Sequence, residues 1–343
     1  MRESSAKGNL EKVKHIFMFV DKENLNVIEM GVKNYNLAEG QTPKLVDSIG
    51  GRLEYLSAMK KPSNAMTPLM LAASHGHVHV CDYLITRQNA KLCARDDDQY
   101  TALIHATRCN QGRVIQLLLD HNVNIMAEDS HGQTSAQFAA MCGYLDILKM
   151  LVEKDLSVLE FQGSNGMSLL ILAVSKGQMD VVKFLLDKNV NIMVKNQLGM
   201  HATYLAAKSG NLSLLKLLVD KNEDVVNLKG YLGQTPLMAA SFHGKIDVCK
   251  YLLTHTKVEV NEQDESGRTA LFWAVENYNK EKNKIDVVDF LIKNGAMNLK
   301  NKFDETPLDI ARKYPISNQL IIRKLEDKFH MLLTSNKAKE DLL

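Results

Sequence analysis

Few side chains in this chain are grouped in a way that invites chemistry. The run His75-Gly76-His77-Val78-His79 alternates imidazoles, and zinc sites are built from three or four converging ligands of that kind. No cysteine or acid repeats beside it, so the run is read as structural. Arg95-Asp96-Asp97-Asp98 offers carboxylates but lacks the glycine and closing glutamate of a calcium loop. It is read as a solvated hairpin tip, with an acidic contact to a basic partner as the alternative. The cysteines Cys81, Cys93, Cys109, Cys142 and Cys249 contain no CxxC pair. An odd, widely spaced set points to reduced thiols and a cytoplasmic or nuclear compartment. No lysine- or histidine-based activation motif accompanies Cys109 or Cys142. Nucleophile elbow, phosphate loop, dinucleotide fingerprint and kinase signature are all missing from the sequence. The chain reads as a non-enzyme, with no cofactor, no metal and no small-molecule substrate.

Composition agrees with a soluble globular protein. The chain has 343 residues, of which 45% are hydrophobic and 24% charged. Its 42 basic and 40 acidic residues leave a net charge of +2, too small an excess for a dedicated nucleic-acid binder. No apolar run approaches the ~18 residues that a membrane span needs. Met1 to Asn9 is polar and lacks the apolar stretch of a secretory signal. No membrane insertion is expected.

The elements that must position any site are repeats. Taking Thr67 as anchor, equivalents fall at Thr101, Thr134, Ser168, His201, Thr235 and Thr269, spaced by 33 or 34 residues. Thr42 and Thr306 extend the series with irregular gaps of 25 and 37. Five residues after the anchors stand Ala72, Ala106, Ala139, Ala173, Ala206, Ala240, Ala274 and Ala311. Nine after, glycine recurs at Gly51, Gly76, Gly143, Gly177, Gly210 and Gly244. Threonine suits an N-cap, and proline suits the first helical position, as at Pro43, Pro68, Pro236 and Pro307. The alanine permits close helix approach, and the glycine ends the first helix in a left-handed turn. A second helix follows, with one apolar face such as Met179, Val182, Leu185 and Leu186. A polar loop and a hairpin-like turn then lead to the next anchor.

Thr67-Pro68-Leu69-Met70-Leu71-Ala72-Ala73 with Gly76-His77, and Thr235-Pro236-Leu237 with Gly244, resemble the ankyrin repeat over roughly residues 40 to 315. The resemblance implies an all-α solenoid with short β-hairpin-like turns. It divides the chain into a degenerate N-terminal capping repeat (1–40), an array of about eight units (41–315) and a C-terminal capping helix (316–343). A polar insertion at 279–283 lengthens one turn. His77 stands where the family commonly has a histidine. The family's other histidine, two residues after the proline, is replaced by Met70, Ile104, Gln137, Ile171, Tyr204, Met238 and Phe272, so apolar packing is expected to substitute. Cys81 and Cys249 share a second-helix position with Val182 and Leu215 and are expected in the core.

The resemblance also marks a binding face, made of hairpin tips and the concave side of the first helices. The candidate residues there are Arg95, Asp97, Asp98, Tyr100 and Arg108, then His131, Met167 and Lys176. Lys195, Leu198, Met200 and Lys208 follow, then Tyr231, Leu232, Phe242, Arg268 and Phe303. Tyr100, Met167, Leu198, Met200, Tyr231, Leu232, Phe242 and Phe303 are expected to be exposed, which is how interface anchors are supplied. Tyr231 and Phe242 are therefore expected to be replaceable without loss of stability. The charge at these positions passes from acidic to basic along the chain, which would orient an elongated partner. The function implied is a non-catalytic scaffold or adaptor that binds a protein segment, extended or helical. The alternative is a regulatory or targeting region of a larger enzyme or channel assembly.

Overall fold

The computed structural model describes residues 66–276, 283–313 and 318–329. Helices come in pairs: α1 (Pro68–Ser74) with α2 (Val78–Thr86), α3 (Ala102–Arg108) with α4 (Gly112–Asp120), and α5 (Ser135–Cys142) with α6 (Leu145–Lys154). The series continues with α7 (Leu169–Ser175) and α8 (Met179–Asp187), then α9 (Ala202–Ser209) and α10 (Leu212–Lys221). Next are α11 (Pro236–Phe242), α12 (Ile246–His255), α13 (Ala270–Glu276), α14 (Asn283–Lys293) and α15 (Pro307–Lys313). Residues 318–329 form α16. Among the described residues the only pairing of extended backbone is an isolated bridge between Lys195 and His201. The fold is an all-α repeat array.

Two compact units are formed, Met1–Val158 and Leu159–Leu343. In the first, α1, α3 and α5 lie side by side, and α2, α4 and α6 form a second row. In the second, α7, α9, α11, α13 and α15 make one row and α8, α10, α12 and α14 the other.

Every described anchor caps its helix. Thr67, Thr101, Thr134, Ser168, Thr235, Thr269 and Thr306 each accept a bond from the backbone N–H three residues on, at 3.2–3.4 Å. His201 does the same with its Nδ1, at 3.2 Å from Tyr204 N. All eight alanines of the repeat are fully buried, at 0% exposure, as close-packed first helices require. Gly76, Gly143, Gly177, Gly210 and Gly244 have positive φ. In the repeat anchored at Thr101, where asparagine stands in place of this glycine, Asn110 takes the left-handed conformation with φ 56°.

The residues that replace the family's histidine do two jobs. Ile104, Ile171 and Phe272 are buried apolar packing. Gln137 Oε1 accepts from Thr134 N at 3.0 Å, closing a capping box. Met70 and Met238 place a sulfur in the same role, 3.3 and 3.4 Å from Thr67 N and Thr235 N. Cys81 and Cys249 are buried, and burial pushes both thiols up to about 12, where they are inert at neutral pH.

Helix α16 buries Ile321 and Leu325 and leaves Leu320 exposed. Asn318 Nδ2 donates to Ala311 O, Arg312 pairs with Glu326 at 2.7 Å, and Lys324 pairs with Asp289 at 2.7 Å. The expected N-terminal cap, the connection between Thr42 and Thr67, most of the 279–283 insertion and the chain from 330 onward lie outside the described residues.

Candidate protein-binding surface

The hairpins before Thr101, Thr134, His201, Thr269 and Thr306 are built around a polar residue five positions upstream of the anchor. Asp96 Oδ1 accepts from Asp98 N at 3.1 Å and Tyr100 N at 2.8 Å. Asp129 repeats this with His131 N and Gln133 N, and Asn196 with Leu198 N and Met200 N. Asp264 does so with Ser266 N and Arg268 N, and Asn301 with Phe303 N and Glu305 N. The expected solvated tip at Arg95-Asp96-Asp97-Asp98 is thereby corrected: Asp97 and Asp98 are exposed, but Asp96 is only 4% exposed. Burial of a carboxylate is tolerated because its oxygens are used.

What faces the second atom of these side chains decides between acid and amide. Asp96 Oδ2 meets His105 Nε2 at 2.8 Å. Asp264 Oδ2 meets Trp273 Nε1 at 3.0 Å and Arg268 Nε at 3.2 Å. Asn196 Nδ2 instead donates to Met167 Sδ, and Asn301 Nδ2 to Glu305 Oε2. At these four positions a carboxylate stands where a donor faces it, and an amide where an acceptor does. At Asp129 the equivalent of His105 is Phe138, which cannot donate, and Oδ2 has no hydrogen-bond partner among the described residues.

Adjacent hairpins are stitched together within each unit. Backbone bonds join Ser130 N to Asp98 O in the first unit, and Gln197 N to Asn165 O, Glu265 N to Leu232 O and Lys302 N to Ser266 O in the second. Six residues before four of the anchors, a long side chain reaches the carbonyl of the same position one repeat on. Arg95 donates to Glu128 O, Lys195 to Lys229 O at 2.6 Å, Lys229 to Gln263 O at 3.1 Å and Gln263 to Lys300 O at 3.3 Å. A glycine two before the anchor allows this approach. A Cβ on Gly233 would lie 2.9 Å from Glu265 N, and its φ of 76° also favours glycine.

The residue before the anchor also meets the residue seven after it. Arg108 lies 4.4 Å over the Tyr100 ring, Arg268 pairs with Glu276 at 3.2 Å, and Lys313 pairs with Glu305. This register places hairpin base and first helix side by side.

The candidate residues therefore divide into groups. Asp97, Asp98, His131, Lys176, Lys208, Leu198, Tyr231, Leu232 and Phe303 are exposed. Leu198 is 58%, Tyr231 45%, Leu232 43% and Phe303 74% exposed. Arg95 and Lys195 are exposed too, but they serve as stitches. The expected exposure of Tyr100, Met167, Met200 and Phe242 is corrected: all four are half-buried. The Tyr100 ring packs on His105 and Phe138, and Phe242 packs on Trp273 with ring centres 5.4 Å apart. Met167 Sδ accepts the Asn196 bond, and Met200 sits at the hairpin base beside its anchor. Phe242 consequently contributes to packing, contrary to the expectation that it could be removed freely. Arg268 is half-buried, held by Asp264, Glu276 and the Trp273 face at 3.8 Å. Among the described residues no three His, Cys, Asp or Glu side chains converge as a metal-holding group.

One hairpin has unusual backbone. In Gly230-Tyr231-Leu232-Gly233, Leu232 has φ 53° and ψ 28°, a left-handed conformation that is disfavoured for side chains of its kind. Leu198 occupies the same position on the preceding hairpin, and the two hairpins touch: a Cβ on Gly199 would lie 3.4 Å from Gly230 C and Tyr231 N. Leu198, Tyr231 and Leu232 are thus exposed apolar side chains on two adjoining hairpins.

His201, the one imidazole among the anchors, is fully buried, with Nε2 3.0 Å from Leu228 O. Burial holds its pKa down to about 4, against the ordinary 6.5, with Lys195 acting in the same direction. Above pH 6.5 the group is neutral whether folded or unfolded and stability is unaffected. As pH falls from 6.5 towards 4, only the unfolded chain takes up the proton, so stability is lost, by about 3 kcal/mol in total. His201→Thr keeps a capping group and removes this loss. Its melting temperature is expected to fall less steeply than that of wild type across this window; parallel profiles would contradict the assignment.

A family model of ankyrin repeats (3 copies) matches residues 5–129, 69–162, 125–196, 170–264 and 203–302. The chain belongs to the ankyrin-repeat family, whose repeats are protein–protein interaction modules. Alpha-latrotoxin-Lg1a of Latrodectus geometricus is 31% identical over 119 residues, 34% of this chain and 8% of the toxin. A Plasmodium falciparum (isolate 3D7) protein named as a candidate E3 ubiquitin-protein ligase is 33% identical over 113 residues, 32% of this chain and 1% of that protein. The chain spans less than a tenth of either relative. No described helix is long and apolar enough to cross a membrane.

Proposed function

We propose that the chain is a non-catalytic scaffold or adaptor that holds a protein segment, extended or helical, along its hairpin tips and the adjoining faces of the first helices. The observation that carries this reading is the internally bonded hairpin row. Main-chain groups of the tips are spent on Asp96, Asp129, Asn196, Asp264, Asn301 and the neighbouring hairpins. Exposed side chains such as Leu198 and Tyr231 are left as the variable part. A surface fixed in advance loses little entropy on binding. A cytoplasmic or nuclear setting fits the free thiols, of which Cys93, Cys109 and Cys142 are exposed. Helix α16 is taken as the C-terminal cap of the array.

The test is affinity capture from native extract, comparing wild type with a Leu198→Ser/Tyr231→Ser variant, both sites being exposed. Proteins lost selectively from the variant are the expected result. Equal recovery from both baits would move the interface away from these tips. The great length of both relatives favours a second reading, in which these repeats are the regulatory or targeting region of a larger enzyme or channel assembly.

A further inference from the structure

The repeat anchored at His201 departs from its neighbours at places that lie close together. Two residues after other anchors of the second unit stand Leu170, Leu237 and Leu271, each at 2% exposure or less, but Thr203 takes that place at 0%. Its Oγ1 is buried and has no hydrogen-bond partner among the described residues, so nothing offsets the loss of its water. The hairpins before His201 and Thr235 touch at Gly199 and Gly230. Yet the backbone bond that joins Gln197 to Asn165, Glu265 to Leu232 and Lys302 to Ser266 has no counterpart between Tyr231 and Leu198 among the described residues. Leu232, in the second of these hairpins, is held at φ 53°, a strain that opening would release.

His201 itself supplies a tie where that bond is missing. Tyr204 N donates to its Nδ1 at 3.2 Å, so the proton of the neutral ring sits on Nε2, which donates to Leu228 O at 3.0 Å. One imidazole therefore caps α9 and bonds to the stretch that leads to the next anchor. A second proton, on Nδ1, would set a donor against the Tyr204 N–H and end the cap. Around the ring stand Lys195 of its own hairpin, a cation that opposes a second charge, the Tyr204 ring with centres 6.2 Å apart, and the Leu228 carbonyl. Among the described residues no carboxylate pairs with it.

We infer that the block 201–221, which holds α9 and α10, is the first part of the second unit to open, and that acid opens it by placing a second proton on His201. Repeats are stable chiefly through the interfaces with their neighbours. A block deficient both in its core and in its hairpin stitch is where sub-global opening starts. The array thereby carries an acid-sensitive break between the pair α7 and α8 and the pair α11 and α12. The inference does not depend on the interaction reading. On that reading, a segment held across the tips at Leu198 and Tyr231 would be released in the same step.

The experiment is hydrogen exchange followed by mass spectrometry on the intact chain at pH 7 and pH 5, with protection corrected for the intrinsic exchange rate at each pH. At pH 7, peptides of α9 and α10 are expected to be about tenfold less protected than those of α7 and α8 or of α11 and α12. Between pH 7 and pH 5 their protection should fall by a further factor of about twenty, given a pKa of 6.5 in the open form and about 4 in the closed one. Thr203→Val keeps the volume and removes the stranded hydroxyl, so it should restore about tenfold of protection to this block at both pH values. His201→Thr should hold the protection of the block nearly constant between them. Equal protection of the three helix pairs at pH 7 would overturn the inference. So would an equal loss in all three at pH 5, which would leave His201 as a determinant of global stability alone. A block that His201→Thr leaves as acid-sensitive as wild type would overturn the role given to the imidazole.

Discussion

Replacing Asp264 by alanine is expected to cost about 3–5 kcal/mol of stability. The carboxylate is buried and accepts from Ser266 N, Arg268 N, Arg268 Nε and Trp273 Nε1. Its removal strands a buried indole N–H and leaves Arg268 with Glu276 alone as counter-ion. Asp264→Asn separates the two halves of this account. The amide oxygen can still serve the turn, but its NH2 would be turned towards two donors, so a substantial loss of about 2 kcal/mol or more is expected. The same change at Asp129 has the opposite logic. Its Oδ2 has no hydrogen-bond partner among the described residues, and His131 Nδ1 is 4.0 Å away, so Asp129→Asn should be neutral or mildly stabilising. Denaturant titration of the three variants checks the scheme. Equal effects of Asp264→Asn and Asp129→Asn would show that the facing group does not choose between acid and amide.

The second large effect is expected from Ala240→Leu. Ala240 lies in α11 between α9 and α13 at 0% exposure. Three added carbons have nowhere to go unless neighbouring first helices part. Overpacking of this kind costs about 1–3 kcal/mol and occasionally more, and the upper end is expected because helices press from both sides. Ala240→Gly removes volume instead, and its smaller cost would come from helix propensity, about 1 kcal/mol. If thermal melting of Ala240→Leu matched wild type, the alanine column would not be the closest approach in the stack.

Much of the fold could be read from the sequence because it depends on short-range, periodic chemistry. An N-cap at Thr235, a buried alanine at 240 and a left-handed glycine at 244 each need only their own turn of helix. The hairpin residues Asp96, Asp129, Asn196, Asp264 and Asn301 are equally periodic but were hidden by two things. The position alternates between acid and amide, and glycine takes it at Gly163 and Gly230. The side chains that pair with it, His105 and Trp273, lie nine residues away across the hairpin. Surface and core were hardest to separate for Tyr100 and Phe242. Each is half-covered by an aromatic residue of the following repeat, Phe138 and Trp273, a contact no single repeat contains. Arg95 and Lys195 looked like free surface charges because nothing in a sequence distinguishes a solvated cation from one bonded to a carbonyl 33 or 34 residues on.

Those bonds carry an implication for how such a chain can change its length. Lys195 to Lys229, Lys229 to Gln263 and Gln263 to Lys300 all join a position to its own counterpart in the following block. The acceptor is a main-chain carbonyl, which every residue type possesses. A gene segment duplicated or excised in whole blocks would therefore leave every surviving donor opposite a usable acceptor, whatever amino acid the junction brought there. Growth and shortening by recombination need no compensating substitution along this seam, and side chains at the tips remain open to drift towards new partners.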